Sequence, residues 1–134
     1  MNLLDSNILI RYLTNDHPKL ASRCEALFQR VAGGKEKVLL NHLVIAEVVW
    51  VLQAQYHYPA EKIFDLILKI INTPNIEIVD EDIMITALSF WHHAEFKVDY
   101  IDAYNAAWVD VKKMKAIYSY DHDFDKLGIQ RLEP

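Results

Sequence analysis

Hydrophobic positions along the chain follow two patterns, short apolar runs and longer stretches with apolar residues on one helical face. The longer stretches predict six helices, whose limits are marked by capping residues, by Gly33-Gly34 and by Pro59. The short runs predict five strands, which are residues 1–4, "KVLLN", "IEIV", "AIYSY" and "IQRLE". Strands that alternate with helices in this way predict an α/β sandwich with a largely parallel sheet.

The chain has 134 residues, 52% of them apolar, which predicts one domain over residues 1–134 with a substantial core. No segment approaches the roughly 20 apolar residues of a membrane helix, and Asp5 and Arg11 interrupt the first apolar stretch, which argues against a signal peptide. The single cysteine, Cys24, excludes an internal disulfide and favours a reducing, cytoplasmic location. A net charge of −5 argues against a protein that coats duplex DNA through a broad basic face.

Four carboxylates stand where the pattern expects apolar side chains. Asp5 follows the first strand and Asp121 the fourth, and the carboxyl ends of parallel strands share one edge of a sheet. Glu47 and Asp102 lie in the apolar helical segments "LVIAEVVWVL" and "YIDAYNAAW". A buried carboxylate without a partner is costly, so each of the four needs one.

Two explanations are open for these acids. One is that each caps a helix or pairs with a lysine or arginine, and Asp5 and Asp102 stand near helix starts, where capping is possible. However, Glu47 is too far inside its helix to cap it, and no basic residue lies within one turn of Glu47 or Asp102. We therefore favour a shared cation, and ligation by oxygen alone selects Mg²⁺ or Mn²⁺ over zinc.

Four segments of the sequence together resemble the signature segments of PIN-domain ribonucleases, in the same order. They are "LLDSNILIRYL", "HLVIAEVVWVL", "KVDYIDAYNAA" and "AIYSYDHDFDKLG", and they look most like those of the VapC-like toxins of toxin–antitoxin systems. The resemblance implies a three-layer α/β/α sandwich with a largely parallel five-stranded sheet. It also implies a metal-binding and catalytic quartet of Asp5, Glu47, Asp102 and Asp121, with Asp99 as a further metal ligand.

By the same resemblance, Ser6 and Ser119 stand where the family has small hydroxyl residues, and Ser119 replaces the more common threonine. The implied activity is metal-dependent hydrolysis of single-stranded or loop RNA, such as a tRNA or rRNA site. Arg11, near the end of the first segment, and Asn105, one turn after Asp102, are further candidate substrate-binding residues.

The resemblance also implies a homodimer and a cognate antitoxin protein as partners. In support, helices three and four carry apolar and aromatic residues expected to be exposed, namely Tyr56, Tyr58, Ile67 and Ile71. The pattern further predicts three tryptophans in the core (Trp50, Trp91 and Trp108) and two turn residues (Asp123 and Asp125), with Asp123 able to reach the metal.

Two other functions are compatible with the sequence. One is a metal-dependent phosphatase or DNA nuclease with similar carboxylate chemistry, although Asn7 stands where an aspartyl phosphatase of the dehalogenase type needs its second aspartate. The other is a PIN fold that binds without catalysis, against which the intact set of acids argues.

Overall fold

The computed structural model describes the whole chain, Met1–Pro134, which divides into two compact units. Met1–Val79 is called the N-terminal unit and Asp80–Pro134 the C-terminal unit. The prediction of a single domain over residues 1–134 stays a prediction.

The N-terminal unit consists of three parallel strands joined by pairs of helices. The central strand, β2, pairs with β1 on one side and with β3 on the other. Beyond β1, the Leu4 amide still donates to the Leu39 carbonyl at 2.9 Å, so the chain is fixed up to the residue before Asp5. The elements are β1 (Asn2–Leu3), α1 (Ser6–Thr14), α2 (Pro18–Ala32), β2 (Val38–Leu40), α3 (His42–Ala54), α4 (Ala60–Ile71) and β3 (Ile76–Ile78).

The C-terminal unit combines two long helices packed together with a second pair of parallel strands. Its core is formed by buried residues of the two helices, including Ile83, Trp91, Ala103 and Ala107. The elements are α5 (Glu81–His93), α6 (Tyr100–Val111), β4 (Ile117–Tyr118), α7 (Asp123–Lys126) and β5 (Arg131–Leu132).

The predicted α/β class with parallel strands is confirmed, as are all six predicted helices and five strands. The strands form a three-stranded and a two-stranded sheet, where one five-stranded sheet was predicted. Each strand has only two or three residues, so the ladders are short and the apolar runs overestimate their length. Helix α7 was not predicted, because four residues are too few to display a helical period.

Burial along α3 and α4 differs from the prediction. Trp50 is 62% exposed and Glu47 is exposed, whereas Ile67, expected at the surface, is fully buried. Helix α3 is apolar on every face, so its sequence does not identify the side that faces the core. The premise that Glu47 is a buried carboxylate is therefore wrong, and of the three tryptophans only Trp91 is fully buried.

No helix in the structure is both long and apolar enough to span a membrane.

Trp91 connects the core of the C-terminal unit to the segment that begins α6. Its indole Nε1 donates to the carbonyl of Val98 at 3.0 Å, and its ring lies edge-on to Phe96 and Tyr100. Val98 is buried and immediately precedes Asp99, the N-cap residue of α6. Trp91 therefore fixes the start of the helix that carries Asp102.

Replacing Trp91 with Phe should destabilise the protein by about 1–3 kcal/mol. The ring remains apolar, but the buried Val98 carbonyl loses its donor, and an unsatisfied buried group of this kind costs that much. Chemical denaturation gives the free energy of unfolding. The control variant Ile85→Val, at an exposed position of α5, should stay within about 0.5 kcal/mol of wild type, and equal losses in both variants would contradict this account.

Candidate metal centre

Three carboxylates of the C-terminal unit converge on one point. One oxygen each of Asp102, Asp121 and Asp123 lies within 4.8 Å of the others. Asp102 and Asp123 are half-buried and Asp121 is exposed. This carboxylate triad contains two of the predicted ligands, Asp102 and Asp121, together with Asp123, which had been assigned mainly to a turn.

The triad is positioned by the first turn of α6 and by the turn that follows β4. Asp102 lies in the first turn of α6, where the helix holds it rigidly. After β4, the Ser119 hydroxyl accepts from the Asp121 amide at 2.9 Å, and Asp121 Oδ1 accepts from the Asp123 amide at 2.9 Å. These two bonds bring Asp121 and Asp123 back toward α6. Ser119 thus acts on the site through the backbone of Asp121.

The surroundings of Asp102 disfavour its ionised form. The pKa of Asp102 is raised, first by burial and then by the neighbouring charges of Asp121, Asp99 and Asp123. No lysine or arginine forms an ion pair with Asp102 or Asp121, and only Asp123 has such a partner, the Lys126 ammonium at 2.9 Å. Pairing with a lysine or arginine therefore does not explain the positions of Asp102 and Asp121.

The donor set suits a hard divalent cation. Three carboxylate oxygens, with no histidine or cysteine among them, match the ligands of Mg²⁺ or Mn²⁺. Asp99 starts α6 without a side-chain capping bond and is not part of the converging group. Its charge raises the pKa of Asp102 from outside that group.

The other two predicted ligands, Asp5 and Glu47, line a cleft of about 350 Å³ within the N-terminal unit. Asp5 occupies the N-cap position of α1 but its side chain makes no capping bond, so capping does not explain this acid. Ser6 and Asn7, the next two residues, are the first residues of the helix, and Ser6 is buried. Other lining residues are Ser6, Arg11, Gln55 and Tyr56.

An unpredicted residue, Asp16, holds two side chains of this cleft. Arg11 Nη1 donates to Asp16 Oδ2 at 2.7 Å, and the Tyr56 hydroxyl donates to the same oxygen. These donors, the Tyr56 hydroxyl first, lower the pKa of Asp16 and keep it ionised. The spacing of Arg11 and Asp16 is visible in the sequence, but Tyr56 lies 40 residues further on and no local pattern connects it.

The remaining candidate, Asn105, is exposed on α6 and makes no side-chain hydrogen bond. The candidates therefore form two groups. Asp5, Ser6, Arg11 and Glu47 share the cleft of the N-terminal unit, and Asp102, Asp121 and Asp123 form the triad of the C-terminal unit.

Comparison with known proteins identifies the family. Residues 3–130 match the family model of the PIN domain. The chain belongs to the PIN-domain family. The resemblance drawn from the four sequence segments is thus confirmed, and the matched residues of this PIN domain extend over both units.

Individual relatives carry related names. A VapC ribonuclease of Aquifex aeolicus (strain VF5) is 25% identical over 136 residues, which cover 100% of this chain and 97% of the relative. Among solved structures, the crystal structure of VapC20 of Mycobacterium tuberculosis, a sarcin-ricin loop cleaving toxin, aligns over 100% of both chains with 16% identity and a TM-score of 0.41.

Replacing Asp102 with Asn should leave the metal-free PIN domain as stable as wild type, or more stable. The ionised carboxylate is disfavoured in the folded state by burial and by like charges, and Asn removes that penalty. The same variant should lose most of the rise in melting temperature that Mn²⁺ gives the wild type, since that rise depends on binding to the folded state. Thermal melts with and without Mn²⁺ measure both effects.

The matched control for this variant is Asp110→Asn, which removes an exposed carboxylate from the same helix outside the triad. It should keep the full Mn²⁺ shift. A full shift in Asp102→Asn, or a marked loss of its metal-free stability, would mean that Asp102 supports the fold and not an ion.

Proposed function

We propose that this PIN domain is a metal-dependent endoribonuclease that hydrolyses phosphodiester bonds in single-stranded or loop RNA. The observation that carries the proposal is the carboxylate triad, in which Asp102 and Asp121 have no basic partner, in a chain of the PIN family. The relative named as a VapC ribonuclease, aligned over the whole of this chain, supports RNA as the substrate. It also supports a role as the toxin of a toxin–antitoxin pair in the cytoplasm.

The proposed cofactor is Mg²⁺ or Mn²⁺. From the family resemblance, we assign its ligands to Asp5, Glu47, Asp102 and Asp121. Asp123 is added because it belongs to the triad, and Asp99 is kept as an outer acid. When bound, the ion supplies a water of lowered pKa and neutralises charge that develops on the phosphoryl oxygens.

The residues of the chain have separate tasks in this proposal. The carboxylates of the triad would hold the cofactor from the first turn of α6 and from the turn after β4. Ser119 fixes Asp121 through its amide. Arg11, which lines the cleft with Asp5 and Glu47, is placed to bind a substrate phosphate by exchanging its bond to Asp16. Ser6 and Asn105 stay as tentative substrate contacts.

Histidine-based attack by a ribose 2′-hydroxyl is not favoured. His122 is the histidine closest in sequence to the triad, and its Nδ1 already lies 3.1 Å from Asp125 Oδ2 and 3.0 Å from Arg131 Nη2. Both contacts are made by Nδ1 in an exposed ion-pair cluster, and no histidine belongs to the group of side chains that converges at Asp102.

The purified protein should cleave RNA with Mg²⁺ or Mn²⁺, stop when EDTA is added, and leave duplex DNA intact. Asp102→Asn and Glu47→Gln should lower the rate by orders of magnitude, whereas the control Asp110→Asn should keep it. Gel analysis of total RNA at early times measures the cleavage. Undiminished cleavage after exhaustive chelation would refute the metal mechanism.

The proposed protein partners are a second copy of the chain and a cognate antitoxin. The residues first chosen in support of the dimer do not form an exposed face, because Ile67 is buried and Tyr56 is held by Asp16. The structure instead exposes two large apolar residues on α3, Leu43 at 81% and Trp50 at 62%. Their spacing of seven places them on one face of the helix.

Light scattering at micromolar concentration should therefore give the mass of two chains for the wild type. The double variant Leu43→Ser, Trp50→Ser should give the mass of one chain, because it removes the exposed apolar face of α3. Ile85→Ser, which changes an exposed apolar residue on α5, is the matched control and should stay dimeric. A monomeric wild type would refute the homodimer.

A further inference from the structure

Two tyrosines beside the carboxylate triad are open to solvent. Tyr118 ends β4 and is 72% exposed, and Tyr120, 71% exposed, directly precedes Asp121. Neither side chain makes a hydrogen bond or a ring contact within the chain, and every other tyrosine is buried or half-buried. Two large aromatic faces are thus left in water next to the candidate metal site, where a protein of this size would gain stability by burying them.

The backbone that carries the two rings is firmly held. Ser119 lies between them. Its amide donates to the Leu132 carbonyl at 3.0 Å, and its carbonyl accepts from Arg131 Nη1 at 2.9 Å. Its hydroxyl accepts from the Asp121 amide. The tyrosines therefore belong to the same short segment that positions Asp121, and three hydrogen bonds of Ser119 fix the backbone of that segment.

Charge around this segment limits how a nucleic acid can be held there. Three carboxylates lie within residues 121–125, and the whole chain has a net charge of −5. Asp123 and Asp125 are paired with Lys126 and Arg131, but Asp121 has no basic partner and repels the phosphate backbone, so contacts that do not depend on opposite charge are favoured for RNA here. Stacking of bases on aromatic rings is such a contact, and it tolerates any base sequence.

We propose that Tyr118 and Tyr120 form a base-stacking platform that holds unpaired RNA bases beside the carboxylate triad. The inference rests on the proposed function and adds a reason for its substrate class. Bases inside a duplex are stacked on one another and offer no free face, whereas bases in loops and single strands do. The platform thus selects single-stranded RNA, and the triad acts on the adjoining phosphodiester.

The test compares two labelled oligomers of equal length and charge, an oligoadenylate of about 12 nucleotides and a ribose–phosphate chain without bases. Binding is measured by fluorescence anisotropy at low ionic strength in EDTA, where cleavage does not interfere. The wild type should bind the oligoadenylate about tenfold more tightly than the abasic chain. The variant Tyr118→Leu, Tyr120→Leu should bind both equally, and Tyr118→Phe, Tyr120→Phe should keep the preference because it keeps both rings.

Two further arms separate this inference from the proposed function. Ile85→Ala, which trims an exposed side chain elsewhere in the C-terminal unit, should keep the preference for bases. In cleavage assays with Mn²⁺, the leucine variant should raise KM about tenfold with kcat nearly unchanged. Thermal melts verify that all variants fold. If the double leucine variant does not fold, the single variant Tyr120→Leu takes its place.

A preference for bases that survives the leucine changes, or is missing in the wild type, would overturn the platform. If the wild type still cleaves RNA in either case, the proposed function stands and only the stacking role is lost. A wild type that neither binds nor cleaves RNA would overturn both.

Discussion

Repulsion between carboxylates is the constraint on which the C-terminal unit depends. Three carboxylate oxygens lie within 4.8 Å of one another, and two like charges 4 Å apart repel by about 1 kcal/mol in water and about 4 kcal/mol near a protein surface. The chain resists this through apolar packing between α5 and α6 and through the hydrogen bonds that fix Ser119. The Trp91–Val98 bond belongs to the same framework, because it fixes the start of the helix that bears Asp102.

Much of the candidate site is predictable from the sequence for simple reasons. Asp5 and Asp121 each follow an apolar run that does form a strand, but β1 and β4 belong to different sheets, so the single shared edge expected from the sequence is wrong. Asp102 stands out because it interrupts an apolar helix, and it is indeed half-buried. Glu47 was selected by the same argument, yet it is exposed, since a helix that is apolar on all sides does not reveal its inward face.

The residues that sequence reasoning placed less well depend on hydrogen bonds that have no periodic signature. Asp123 is the first residue of α7, a helix of a single turn. Its amide donates to Asp121 Oδ1, and this bond holds the two aspartates of the triad together. Asp16 contacts two residues that line the cleft of the N-terminal unit, and one of them, Tyr56, comes from a distant part of the sequence. Such contacts are set by the tertiary fold, and hydrophobic patterns contain no information about them.

The ion pair between Lys126 and Asp123 balances part of the charge of the triad before any metal ion binds. The ammonium is supplied by the same turn of helix as the carboxylate it neutralises, so part of the negative charge is balanced as soon as α7 forms. In small zinc domains, by contrast, the chain stays unfolded until its metal arrives. Here the Lys126 ammonium partly neutralises the triad without a metal, and the proposed ion would have to compete with it for Asp123.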